Sequence, residues 1–152
     1  MSSSFQRRTV LTGALAGLLL PIAARAQTPD SSTQELTDMR IRFAFSHFTM
    51  TATLYDNPSA HDFYAMLPLA LTIGDFGPNE KIAHLPRKLT EEGNGAFSNE
   101  QPYDLCYYMP WGNLAMFYAT YRHPGLIRLG RFEEGYKALH ERGEFPLRIE
   151  AI

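Results

Sequence analysis

Between Met39 and Leu54 apolar and polar residues alternate with a period of two, twice, across a gap of two residues. That pattern constrains the fold more than any other feature of the chain. Met39, Ile41, Phe43 and Phe45 are apolar while Arg40, Arg42 and Ser46 face the other way. After Ser46-His47 the alternation resumes on Phe48, Met50, Ala52 and Leu54, with Thr49, Thr51 and Thr53 opposite. Side chains of a strand point alternately to its two faces, so the two runs predict a β-hairpin with one buried and one wet face. The turn lacks glycine, and its geometry stays open at this level.

Further short strands follow. Asn57 stands as an N-cap with Pro58 in the first turn, and Ala60, Phe63, Tyr64 and Leu67 mark one face of a short helix that Pro68 stops. Leu69, Leu71 and Ile73 alternate up to Gly74-Asp75. Residues 81–84, 105–108 and 113–118 read as strands, the last apolar on both faces and therefore central. Thr90 to Pro102, rich in Gly, Asn and Glu, reads as a mobile surface loop. Ile127 and Leu129 give a strand, and Phe132, Tyr136 and Leu139 a second short helix closing near Gly143. Phe145, Leu147, Ile149 and Ala151 alternate as a last strand. Many short strands with two short helices predict a mainly β fold, a small closed barrel with the helices over its ends.

The first 38 residues differ in character. Arg7-Arg8, an apolar run from Gly13 to Ile22, and Ala24-Arg25-Ala26 have the form of a twin-arginine export signal with its cleavage site. The run is shorter than the roughly 20 residues that span a bilayer. Residues 1–26 are therefore expected to be a signal peptide, 27–38 a polar tether, and 39–152 the domain, exported to the periplasm and free of the membrane after cleavage. The formal charge of the whole chain is −2. Cleavage removes Arg7, Arg8 and Arg25 and no acidic residue, leaving an acidic domain that lacks the basic face nucleic acids require. Cys106 is the only cysteine, so no internal disulfide forms; it is expected half-buried and inert.

Motifs for chemistry are sparse. His47, His61, His84, His123 and His140 form none of the usual metal spacings, so no metal is expected. There is no nucleophile elbow, phosphate loop or dinucleotide fingerprint, and no cofactor is expected. What stands out is an aromatic cluster with Tyr107, Trp111 and Tyr118, and Arg87 after Pro86. As a binding site, Tyr107, Trp111 and Tyr118 would form apolar walls, with Arg87 and Asn113 orienting an anionic or amide group. As structure alone, the aromatics fill the barrel and Arg87 pairs with Asp104 or Glu80.

A set of segments in order resembles the bacterial single-domain cyclophilin-like proteins. They are Met39-Arg40-Ile41-Arg42-Phe43, Ala52 to Ala60, Met66-Leu67-Pro68-Leu69, Glu80 to Leu89, Gly112 to Tyr118, and Leu126 to Arg131. The likeness runs from Met39 to about Ala138 and implies a small cyclophilin-type barrel capped by two helices. True cyclophilins isomerise prolyl bonds with an arginine in a Phe-His-Arg-type segment, a Gly-Ser-Gln-Phe-Phe-type strand and a later Trp. Here Gly112-Asn113-Leu114-Ala115-Met116-Phe117 is similar to the second element, Arg87 follows Pro86, and no Trp lies after Trp111.

Two functions follow. The first is an exported domain that binds a small molecule or a peptide segment. The alternative is a divergent prolyl isomerase acting on proline-containing peptides, with Arg87 catalytic.

Overall fold

A computed structural model describes residues 34–152. The expected signal peptide and most of the expected tether lie outside these residues. Eight antiparallel strands close into a barrel: β1 (Leu36–Phe45), β2 (Phe48–Tyr55), β3 (Leu69–Phe76), β4 (Glu80–His84), β5 (Asp104–Tyr108), β6 (Asn113–Phe117), β7 (Leu126–Glu134) and β8 (Phe145–Ala151). Around the barrel the order is β1-β2-β7-β5-β6-β4-β3-β8.

The opening hairpin is the one the alternation predicts. Phe45 pairs with Phe48 across Ser46-His47, and Ile41, Phe43, Met50, Ala52 and Leu54 are wholly buried. Without glycine, Ser46 itself adopts the positive φ of 52° that so tight a connection demands. Strand β1 starts before Met39, inside the expected tether. Leu36 pairs with Tyr55, and the Thr37 hydroxyl donates to the Leu54 carbonyl at 2.9 Å. A register shift between Leu36 and Arg40 breaks the alternation there, which hides the strand start from a period-2 reading.

The first helix, α1 (Pro58–Ala65), forms as its caps dictate. The Asn57 side chain accepts the Ala60 N–H at 2.9 Å, and Phe63 and Ala60 enter the core. The second expected helix is corrected to a single 3-10 turn, Tyr136–His140. Phe132 lies in β7, paired with Ala52, so it never belonged to a helical face. Gly135, at φ 69°, brings the chain against the Thr49 carbonyl, and the few residues left before β8 are too short to nucleate a stable α-helix. Ala138 and Leu139 of the turn are buried in the same interior cluster as α1 and the strands.

Strand parity produces two cores. Leu105, Tyr107, Leu114, Met116, Ile127 and Leu129 point into the barrel. Cys106, Ala115, Phe117 and Leu126 point outwards, yet are buried by Tyr121, Tyr108 and Phe97. Phe97 belongs to the Thr90–Pro102 segment, which has no strand or helix but crosses the outside of the barrel as a strap. It is tied at one end where Thr90 N–H donates to Asp62 and Gly93 N–H to the Ser59 hydroxyl, and near the other by Arg122 on Glu100. Under it lies a buried ionic group. Asp104 accepts from the Tyr121 hydroxyl at 2.7 Å and Gln101 N–H at 3.0 Å, with Arg131 at 3.1 Å and Arg128 at 3.7 Å. The Arg128 guanidinium stacks between the rings of Phe97 and Tyr55, 4.7 and 5.0 Å from their centroids.

Cys106 is fully buried, not half-buried, because this outer face of β5 is covered. Burial pushes its thiol far up, out of the range in which a thiolate forms at neutral pH.

Candidate functional site

A cleft of about 150 Å³ opens on the outer side of the barrel, over β4 and β6. Glu80, Ile82, Asn113 and Ala115 contribute the strand positions that face outwards, and Phe76, Tyr108, Trp111, His123 and Leu126 surround them. The strap covers the neighbouring strands but stops short of this patch, which leaves the apolar strand face open here.

Trp111 follows Pro110 in the tight corner between β5 and β6, where Gly112 takes a φ of 67°. That corner leaves the indole 54% exposed, a large apolar side chain in water. It meets Phe76 and Tyr108 edge to face, each at 5.4 Å between centroids, and Tyr108 meets His123 at 5.3 Å. These rings form the rim.

The polar groups are few. Asn113 is buried, and its amide donates to the Leu114 carbonyl at 3.0 Å, while its own Oδ1 has no partner. The opposite amide orientation would set two oxygens against each other, so the free atom is the acceptor. That oxygen is closed off from solvent. Glu80 is partly buried, and burial raises its carboxyl above the ordinary glutamate range, with His123 acting in the opposite sense. His123 Nδ1 lies 2.6 Å from the Pro124 carbonyl, an acceptor only, so Nδ1 carries a proton and donates it there. Beside the cleft, and sharing His123 and Leu126, a more open groove of about 310 Å³ runs to Asn94 and Phe97 of the strap.

Of the residues singled out in the sequence, the structure brings Trp111 and Asn113 together in this cleft. The others lie elsewhere. Tyr107 points into the barrel, fully buried, and its hydroxyl accepts the Leu89 N–H at 3.1 Å. Tyr118 packs on His140, and its hydroxyl accepts from Arg142 at 3.0 Å. Arg87 reaches neither Asp104 nor Glu80, and it does not line the cleft. Both its terminal nitrogens bind Asp62 on α1, at 3.0 and 2.8 Å. The hydrogen bond from Arg87 holds the Asp62 carboxyl below the usual carboxylate value against a smaller opposing effect of burial. A cyclophilin-type isomerase acting through Arg87 would have to break this paired contact.

Sequence reasoning missed Glu80, Phe76 and His123. Phe76 and Glu80 face each other across the β3–β4 turn, and the barrel order that puts β4 beside β6 brings both to Asn113, while His123 arrives from the loop before β7. Among the described residues no three His, Cys, Asp or Glu side chains gather as a metal site, and no helix is long and apolar enough to cross a membrane.

Comparison with known proteins places the fold. The model of the cyclophilin-like family matches residues 43–150, well over half of the chain. The chain belongs to the cyclophilin-like family. The match extends past Ala138 to Glu150 in β8, the strand that closes the barrel against β1 and β3, and it takes in only the last three residues of β1. Among solved structures, the chain is similar to the solution structure of the hypothetical protein AF2241 from Archaeoglobus fulgidus, at 15% identity. It superposes with a TM-score of 0.61 over 78% of this chain and 98% of its own. At that identity the likeness concerns the fold. No curated protein matches the chain.

Proposed function

We propose that this cyclophilin-like protein is a ligand-binding domain, and that the cleft over β4 and β6 takes a small molecule or the side chain of a peptide segment. One observation carries the reading: the unpartnered Oδ1 of buried Asn113 under an aromatic rim. A buried acceptor without a partner costs about 1–3 kcal/mol, and folded proteins keep few of them. The cost is accounted for if a ligand supplies the missing donor. The rim fits the same purpose, since exposed Trp111 with Phe76 and Tyr108 gives an apolar ligand three faces to cover. The volume suits a fragment or side chain, being below the roughly 300–1,000 Å³ of drug-sized sites.

The test separates binding from stability. Asn113→Leu removes the orphaned oxygen along with a single hydrogen bond, so thermal stability should hold or rise by up to about 1 kcal/mol. A thermal-shift screen of amines, carboxylic acids, amides, Xaa-Pro peptides and nucleotides against the parent protein should give hits that Asn113→Leu and Trp111→Ala both lose. A loss of stability above 2 kcal/mol in Asn113→Leu, or hits that neither variant affects, would remove the reading.

Export belongs to the same proposal. Arg7-Arg8, the apolar run and Ala24-Arg25-Ala26 support a periplasmic destination by the twin-arginine route. That route carries folded proteins, and with Cys106 as its only cysteine the chain has no internal disulfide to form after export. Arg7→Lys with Arg8→Lys should hold the full-length protein in the cytoplasm in a fractionation experiment. Unchanged periplasmic recovery of a shortened chain would argue for another route.

A further inference from the structure

Glu80 is treated differently from the other carboxylates of this protein. Asp62, Asp75, Glu100, Asp104 and Glu150 are all shielded from full exposure, and each holds a basic side chain. Arg87 stands 2.8 Å from Asp62, Lys81 2.8 Å from Asp75, and Arg122 3.3 Å from Glu100. Arg131 stands 3.1 Å from Asp104, and Arg42 3.5 Å from Glu150. Glu80 is also shielded, yet among the described residues no Lys, Arg or His nitrogen lies within 4 Å of it. A carboxylate partly withdrawn from water with no basic group in contact, only His123 acting on it from beyond 4 Å, carries an electrostatic cost.

The rest of the cleft has the same sign. No lysine or arginine lines it, the free oxygen of Asn113 is an acceptor, and His123 has committed its Nδ1–H to Pro124. Among the side-chain donors of the lining, Asn113 Nδ2 and His123 Nδ1 are engaged by backbone carbonyls, which leaves the Trp111 indole and the Tyr108 hydroxyl on the rim. Three aromatic rings beside a carboxylate are the surroundings that attract an organic cation, through the negative faces of the rings. The sequence expectation was an anionic or amide group held by Arg87 and Asn113; its anionic part rested on Arg87, which is bound to Asp62 instead.

We propose that the cleft takes a small organic cation bearing N–H donors, an alkylammonium or alkylguanidinium head group, with the charge on Glu80 and the stem between Phe76, Tyr108 and Trp111. The proposal rests on the cleft being a binding site and names its ligand class. The head group arrives on a free amine or on a lysine or arginine side chain, and the two carriers share this chemistry.

The experiment is an NMR titration of the ¹⁵N-labelled full chain. Its probes are n-butylammonium, n-butylguanidinium, N-acetyl-lysine amide and N-acetyl-arginine amide, with butyramide, butyrate and tetramethylammonium as comparisons. The expected result is saturable shifts at the backbone amides of Glu80, Trp111 and Asn113 with at least one of the four N–H cations. Glu80→Gln, which keeps size and polarity, should weaken that binding by about tenfold or more. Strongest binding of a free amine, or of a capped amino acid, supports the proposal in either case and tells which carrier is used. Equal binding of butyramide or butyrate, or unchanged affinity in Glu80→Gln, overturns the cationic ligand and leaves the cleft as a site. Tetramethylammonium binding as well as n-butylammonium overturns the requirement for N–H donors. Silence from every probe, charged or neutral, counts against the cleft itself.

Discussion

Asp104→Ala should lower the unfolding free energy by about 3–5 kcal/mol, the cost of leaving a buried charge without its partner. The carboxylate is fully buried and stands at the centre of the ionic group under the strap. It takes hydrogen bonds from the Tyr121 hydroxyl and Gln101 N–H, and it faces Arg131 and the almost completely buried Arg128. Removing it strands the Arg128 guanidinium, whose Nε already lacks a partner, between two aromatic rings. For a domain of this size the loss should appear as a fall of roughly 10–20 °C in melting temperature. Adding Arg128→Met should recover a good part of it, because the uncompensated charge leaves and an apolar chain fills the slot between Tyr55 and Phe97. A cost below 1 kcal/mol for Asp104→Ala would show that water reaches this group freely and that the strap does not seal it.

The second large effect falls on backbone, with no side chain lost at all. In Gly130→Ala the new methyl would lie 2.3 Å from the Thr53 carbonyl oxygen and 3.0 Å from the Leu54 Cα. Thr53 and Leu54 are the β2 partners of Arg131 and Gly130, so the clash cannot be relieved by turning a side chain. Strands β2 and β7 have to move apart at these two pairs, where their register is regular. The expected cost is about 3 kcal/mol, at the upper end of overpacking effects. Chemical denaturation should show it as a lower midpoint with an unchanged slope, since the surface exposed on unfolding stays the same. A variant as stable as the parent would mean that the two strands are not held as closely as described.

Much of the fold was legible in the chain because its causes are local. Alternation fixed the hairpin β1–β2 and the last strand β8, since a one-residue slip would turn every apolar side chain to water. Asn57, Pro58 and Pro68 set the ends of α1 through capping and the missing proline N–H. The helix read from Phe132 was the instructive failure: Phe132, Tyr136 and Leu139 fit a helical spacing, but pairing of Phe132 with Ala52 claims it for a strand. A spacing cannot register a partner eighty residues away.

The site divides the same way. Composition and spacing drew notice to Trp111 and Asn113, one a large aromatic between Pro110 and Gly112, the other a polar residue opening an apolar strand. The sequence by itself determined the barrel, its family and the two residues in the cleft that stand out from their neighbours. Only the tertiary structure decided what the cleft is made of and which charge it carries. Closing the barrel sets Glu80 against Asn113's strand and delivers Arg87 to Asp62 instead, leaving a carboxylate where a guanidinium was expected. The physical reason is that ion pairing depends on distance through space, and residues brought within 4 Å by strand order have no fixed separation along the chain.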